Sequence, residues 1–227
     1  MSDEPYNVVS FSGGKDSTAM LLMMLEKNMQ VDEILFFDTG WEFPQMYEHI
    51  AKVEKLIKRK VTRLHPREPF GYMLTDKPKK DGTRGFGFAR PNARWCTAYK
   101  TQTIDKQVKG KHATRFIGIA ADETKRIREK CYPLVDWGIT EADALAYCYS
   151  LGFDWGGLYD GYKRLSCWCC PLQSLKELKY LRANFPRLWK ELKIMEDCQS
   201  KTFRIDYSVE QLERRFANED KQMALEI

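Results

Sequence analysis

Histidine is scarce in this chain of 227 residues: His49, His65 and His112 are the only three, and their spacing makes no metal-ligand or catalytic pattern. Long apolar stretches are missing too. The longest uninterrupted run covers residues 19–25, far too short to cross a bilayer. The first residues, Met1-Ser2-Asp3-Glu4, are acidic and carry no signal-peptide pattern, so a cytoplasmic protein with no membrane partner is expected. There is no internal repeat and no low-complexity tract. What remains is a globular composition, 43% hydrophobic and 30% charged, sufficient for one substantial core and a small appended part. Seven cysteines in a chain expected to be cytoplasmic argue against a disulfide framework and for metal, cluster or thiol chemistry.

Charge is unevenly placed. Residues 77–111 hold ten Lys/Arg against Asp81 and Asp105, a net +8, which leaves the rest of the chain at −3. A concentrated basic stretch suits phosphorylated ligands or nucleic acid, or forms an ordinary solvated face.

Near the start, Asn7-Val8-Val9 reads as a buried strand, and residues 18–27, rich in Ala, Leu and Met, read as a helix. Between them lies Ser10-Phe11-Ser12-Gly13-Gly14-Lys15-Asp16-Ser17. A glycine-rich turn into a helix N-terminus offers backbone N–H groups and a positive dipole end to an anion. The spelling separates this loop from its analogues. A Walker loop has glycine five residues before its Gly-Lys pair, where this chain has Val9. A nucleophile elbow has glycine two before the serine, where it has Ser10. Ser12 to Ser17 instead matches the PP-loop of ATP pyrophosphatases.

Downstream, residues 32–40 read as a strand, 45–59 as a helix with apolar positions at Met46, Ile50, Val53, Leu56 and Ile57, and 61–65 as a third strand. Such alternation predicts an α/β fold, a parallel sheet with helices on both faces, with ligands beyond the carboxyl ends of the strands. Residues 66–95 are rich in Pro and Gly, and their aromatic and basic members (Arg84, Phe86, Phe88, Arg90, Arg94, Trp95) suit stacking on a base or gripping phosphate. Helices are predicted over 97–108, from a Thr140 cap to residue 148, and over 174–182, 186–197 and 209–218; a fourth strand is predicted over 115–120. The expected division is a nucleotide-binding α/β domain over 1–170 and a helical, cysteine-containing C-terminal extension over 171–227 packed on the same domain.

Several separated pieces together resemble the PAPS reductase-like family of PP-loop proteins. They are the PP-loop, Phe37-Asp38-Thr39-Gly40 with Glu42-Phe43-Pro44, Arg94-Trp95-Cys96-Thr97, Gly118-Ile119 with Asp122-Glu123-Thr124 and Arg126, Tyr132 to Trp137, Leu158-Tyr159 and Cys167 to Pro171. The resemblance runs collinearly over roughly residues 6–190. It implies an adenine nucleotide alpha-hydrolase-like fold. The loop amides with Ser10, Ser12, Gly13, Gly14, Lys15 and Ser17 would then hold phosphate or sulfonate oxygens. Asp16 would orient the loop or help place Mg²⁺. Phe37, Asp38, Thr39, Gly118 and Ile119 would border adenine, and Arg126 and Arg94 would neutralise phosphate. Lys15, Asp16 and Cys169 are the catalytic candidates.

Sulfonucleotide reductases of this family carry a nucleophilic cysteine near the C-terminus, whereas this chain has none after Cys198. The fourth strand also has Ala120 where many relatives carry arginine. Both departures weigh against classical PAPS reduction. Cys167 and Cys170 have the C-x-x-C spacing that lets two thiolates reach one metal or cluster. Related sulfur-transfer enzymes use cysteines in comparable places for an iron–sulfur cluster. Cys96, Cys167 and Cys170 are therefore expected as ligands of a 4Fe-4S cluster, with Cys169 the fourth ligand or a reactive thiol; structural zinc and buried unmetallated thiols remain alternatives. Cys131, Cys148 and Cys198 lack partner spacing, and Cys148 beside Leu145 reads as core.

The leading expectation is ATP-dependent sulfur transfer, with adenylation of an acceptor oxygen and pyrophosphate release, onto a nucleotide or nucleic acid acceptor and with a sulfur-donor protein as a further partner. The alternatives are an APS/PAPS reductase and a nucleotide-binding regulatory module with structural zinc.

Overall fold

Val8 and Val9 sit at the centre of the first strand with no solvent exposure, as a β-branched pair in a two-sided sheet should. The computed structural model describes residues 5–225; Met1 to Glu4 and the final Glu226-Ile227 lie outside the described residues. The elements are β1 (Tyr6–Ser10), α1 (Lys15–Glu26), β2 (Glu33–Phe37), α2 (Pro44–Ile57), β3 (Thr62–Leu64), α3 (Phe70–Thr75), α4 (Trp95–Val108), β4 (Ala113–Ile117), α5 (Pro133–Asp136), α6 (Glu141–Ser150), α7 (Leu158–Gly161), α8 (Leu175–Asn184), α9 (Pro186–Asp197) and α10 (Val209–Leu225). The sheet is wholly parallel in the order β3-β2-β1-β4. Among the described residues no helix is long and apolar enough to cross a membrane.

The chain divides into two compact units. The first comprises residues up to 38, 42–66 and 100–165; the second comprises 39–41, 67–99 and those from 166 onward. Compared with a boundary at residue 170, the second unit also takes in 39–41, 67–99 and 166–170.

In the first unit the strand order does the positioning. The chain steps outward from β1 to β2 and β3, then returns to the other side of β1 for β4. The order therefore reverses between β1 and β4, and the carboxyl ends of these two strands form the switch point where parallel sheets bind ligands. Ser10 pairs with Ile117 at that end. Gly118 follows, and a Cβ there would lie 2.7 Å from the backbone of Ser17, so its missing side chain lets the end of β4 press on the first turn of α1. Helix α1 packs on α6. Thr140 starts α6 as the N-cap the sequence predicts, and Asp143 completes a capping box with it.

In the second unit, α3 lies in the stretch the sequence reads as an irregular link. Phe70, Met73 and Leu74 bury its one apolar face. The following segment folds back on it: the N–H groups of Phe86 and Gly87 donate to the carbonyls of Met73 and Leu74. Gly85 makes this return possible, with φ at +62° and the Leu74 oxygen 2.3 Å from where a Cβ would be. Ser174 caps α8 in a capping box with Glu177, and α9 packs on both α8 and α10.

Candidate functional site

The turn from β1 into α1 is held by its own serines. The Ser12 N–H donates to the Ser17 hydroxyl at 3.1 Å, the two hydroxyls stand 3.0 Å apart, and Ser17 donates to the Gly14 carbonyl at 3.0 Å. Gly13 has φ at +78°, and a Cβ there would meet the Met46 sulfur at 2.4 Å, so both conformation and space require glycine. Trp155 donates its indole N–H to the Gly13 carbonyl at 2.8 Å. His49 stacks on Trp155 with centroids 4.3 Å apart and bonds the Thr18 hydroxyl at 3.0 Å. His49 is 2% exposed, and burial depresses its imidazole to about 3, so the ring is neutral. The histidine read as non-catalytic is thus a buried prop beneath the loop.

The charged groups form a closed network. The buried Lys15 ammonium lies 2.9 Å from Glu141 and 3.4 Å from Asp16. Glu141 also faces Arg164 at 3.5 Å and Lys163 at 3.6 Å. Arg164 pairs with the buried Glu123, which receives two bonds from Arg126 at 2.6 and 2.7 Å. Burial raises the Asp16 carboxyl from its ordinary value against the pull of Lys15. Its Oδ1 is buried with no hydrogen-bond partner. An orphaned carboxylate oxygen beside a phosphate loop fits a magnesium ion, whose hard charge takes oxygen ligands. The Lys15 N–H, an orphan donor of the first helical turn, donates to the Tyr159 hydroxyl at 2.7 Å.

The other expected residues of this unit fall as follows. The Ser10 hydroxyl accepts from Arg115 at 2.7 Å. Phe37 is buried at the end of β2, and the Asp38 carboxylate accepts the Tyr47 hydroxyl at 2.7 Å. Ile119 is buried behind Gly118. Ser10 to Ser17 and Gly118 share one place, and Arg126 enters the same network through Glu123 and Arg164. Tyr159, Glu141, Arg164 and Trp155 were given no role by the sequence. Tyr159 is marked only as part of the Leu158-Tyr159 motif and the other three by no local signal, because each acts on a partner distant in the chain.

The second unit gathers the cysteines. Cys96, Cys167, Cys169 and Cys170 line one small cavity of about 50 Å³ together with Trp41, Phe70 and Trp95. Thr39 belongs to this unit, its hydroxyl 3.3 Å from the Cys167 sulfur. Gln173, buried, donates to the carbonyls of Cys167 and Trp168 and fixes the turn that carries the thiols. Burial raises the Cys170 thiol, with Cys96 adding to the rise and Arg94 opposing it. Cys169 is 2% exposed. Arg94 is exposed immediately before α4. As a donor set the four thiols suit a soft metal or cluster in kind. Among the described residues, however, no group of three or more His, Cys, Asp or Glu stands ready to hold a metal ion. Cys148 lies instead in the first unit, fully buried, its thiol pushed up to about 12 by burial, in keeping with a core role.

A family model of the phosphoadenosine phosphosulfate reductase domain matches residues 6–131. Two uncharacterized proteins of Methanocaldococcus jannaschii are similar to the chain. One is 26% identical over 203 residues, covering 81% of this chain and 40% of that protein. The other is 24% identical over 201 residues, covering 80% and 45%. An uncharacterized nin region protein of Escherichia phage lambda is 30% identical over 148 residues, covering 55% of this chain and 51% of its own length. The chain thus spans two fifths to about half of the curated relatives it matches. A solved structure, the U34-tRNA thiolase NcsA from Methanococcus maripaludis with its 4Fe-4S cluster, superposes with a TM-score of 0.49 at 14% identity, covering 95% of this chain and 73% of that one.

Proposed function

Because the chain belongs to the phosphoadenosine phosphosulfate reductase domain family, we propose that it binds an adenine nucleotide at the loop between β1 and α1 and uses ATP there to activate an acceptor for sulfur transfer. The observation that carries this reading is a buried lysine beside a carboxylate that keeps one oxygen, Asp16 Oδ1, without a partner at the first turn of α1, placed at the switch point of the sheet. An acceptor oxygen attacks the α-phosphorus, and the bond to pyrophosphate breaks. Negative charge grows on the leaving oxygens, and Lys15, the loop N–H groups and the end of α1 oppose it. Asp16 Oδ1 would supply a ligand oxygen to magnesium, which adds neutralising charge at the pyrophosphate. Arg126 neutralises phosphate once a nucleotide competes for its pair with Glu123. A sulfide-level sulfur then attacks the activated carbon, the carbon–sulfur bond forming as the carbon–oxygen bond breaks, and AMP leaves with the former acceptor oxygen. Cys96, Cys167 and Cys170 would hold an iron–sulfur cluster and, with Cys169 left as a reactive thiol, three ligands would leave a place to carry sulfide; zinc in the four thiols would serve structure instead.

Pyrophosphate release from ATP in the presence of acceptor tests the reading. Lys15→Ala and Asp16→Ala should each abolish it; release at wild-type rate in either variant rejects it. A second reading, reduction of a sulfonucleotide such as APS or PAPS, is favoured by the matched family model itself. Thiol-dependent sulfite release without ATP would support that reading, and inactivity on both compounds would reject it.

A further inference from the structure

We propose that the second unit carries a seat for an unpaired nucleotide of a single-stranded nucleic acid, formed by Phe86, Trp95, Arg90, Arg94 and Lys201. These residues line a cavity of about 370 Å³, within the range of small-ligand sites. Phe86 and Trp95 form its aromatic wall, with ring centroids 5.6 Å apart and planes tilted by 35°. The Trp95 indole N–H donates to the Gly87 carbonyl at 2.9 Å, so the ring is fixed and its polar handle satisfied. What the wall offers a ligand is π-surface.

Three cations accompany this wall, and no acidic residue lines the cavity. Arg90 donates to the carbonyls of Phe203 at 3.1 Å and Thr202 at 2.6 Å. Those partners are neutral, so the guanidinium keeps its full charge, is held in place in advance, and retains three of its five donors. Arg94 and Lys201 are exposed. Gly87 lets the Lys201 stem come close: a Cβ on it would lie 3.4 Å from Lys201 Cδ. Aromatic surface edged by uncompensated cations is the combination that takes a base by stacking and its phosphate by charge.

A strand fits better than a lone nucleotide. A second cavity, of about 350 Å³, shares Arg90 and presents the exposed aliphatic side chains of Leu172 and Ile205. One guanidinium common to two neighbouring cavities suits the phosphate that links two successive nucleotides. The seat names the acceptor class for the sulfur-transfer reading and in its biological use rests on that reading. Binding itself does not.

The test is anisotropy of a fluorescein-labelled single-stranded oligouridylate at low salt, without ATP. The expected result is binding that Phe86→Leu weakens roughly tenfold through lost stacking. Lys201→Glu should weaken it about fivefold and flatten the salt dependence by about one phosphate contact. Lys80→Glu makes the same charge change on an exposed residue of the basic stretch 77–111 that lines neither cavity; it should leave binding unchanged. Uridine monophosphate should compete far more weakly than the unlabelled strand. Equal loss in Lys80→Glu and Lys201→Glu, a neutral Phe86→Leu, or equal competition by the monophosphate overturns the proposal. Because the assay contains no ATP, its failure leaves pyrophosphate release at the loop untouched, and the loss of that activity leaves strand binding to stand on its own.

Discussion

The Tyr159 hydroxyl accepts the backbone N–H of Lys15 at 2.7 Å, across 144 positions of sequence. That N–H is one of the donors a phosphate would take at the start of α1, so phenol and nucleotide compete for it. Burial holds the phenol protonated and neutral, and a neutral acceptor is weaker than a phosphate oxygen. Tyr159→Phe should therefore tighten ATP binding by about three- to tenfold, the worth of one neutral hydrogen bond. Calorimetric titration checks this; weaker binding in the variant would instead make Tyr159 a phosphate ligand.

Glu141 neutralises Lys15 across 126 positions of sequence and also faces Arg164 and Lys163. Glu141→Gln leaves those cations short of a carboxylate. Folding stability should fall by roughly 1.5–3 kcal/mol, in the range for a hydrogen bond to a charged group. The stabilisation conferred by ATP should rise, since the phosphates no longer displace a carboxylate from Lys15. Thermal unfolding with and without ATP reads both changes, and an unchanged or smaller ATP increment would contradict the role given to this pair.

His49 sets a pH dependence. Its imidazole falls from 6.5 to about 3 on folding, so between those values the unfolded chain binds the extra proton. Stability from this group is complete above about pH 6.5 and is lost as pH falls, by about 2 kcal/mol at pH 5. Denaturant unfolding of wild type and His49→Gln at several pH values checks this. The variant should be less stable at pH 8, with a shallower slope below pH 6.5; parallel curves would exclude His49 as the source.

The cysteines separate by place. Protein purified without oxygen should contain iron and acid-labile sulfide, and Cys96→Ser, Cys167→Ser or Cys170→Ser should each lower both sharply. Cys148→Ser should keep them, because that thiol lies among the core of the first unit. Colourless protein carrying zinc, or equal loss in the Cys148 variant, contradicts the assignment.

The features legible in the sequence are those written contiguously. The loop from Ser10 to Ser17, the Thr140 cap of α6 and the bounds of α9 are all spelled within a turn or two of chain. Helix α3 was not legible, since six residues with three buried positions show no period. The make-up of the second unit is not written in any one place, because it draws on three separate stretches of chain. The contacts that tune the loop, Tyr159 and Glu141 to Lys15 and Trp155 to Gly13, each span more than a hundred residues, and no local pattern encodes such distances. The residues of the aromatic cavity in 86–95 could be named from composition, but Lys201, which joins them, could not.

Cleavage of ATP between its α- and β-phosphates at Lys15 and Asp16 can be followed with α-labelled ATP and a parallel assay of pyrophosphate, in the presence of a nucleic acid acceptor. One adenylyl group, bonded to the acceptor or released as AMP once sulfur displaces it, should appear for each pyrophosphate, with neither formed by Lys15→Ala. ADP and phosphate, or an undiminished yield of AMP from Lys15→Ala, would contradict it.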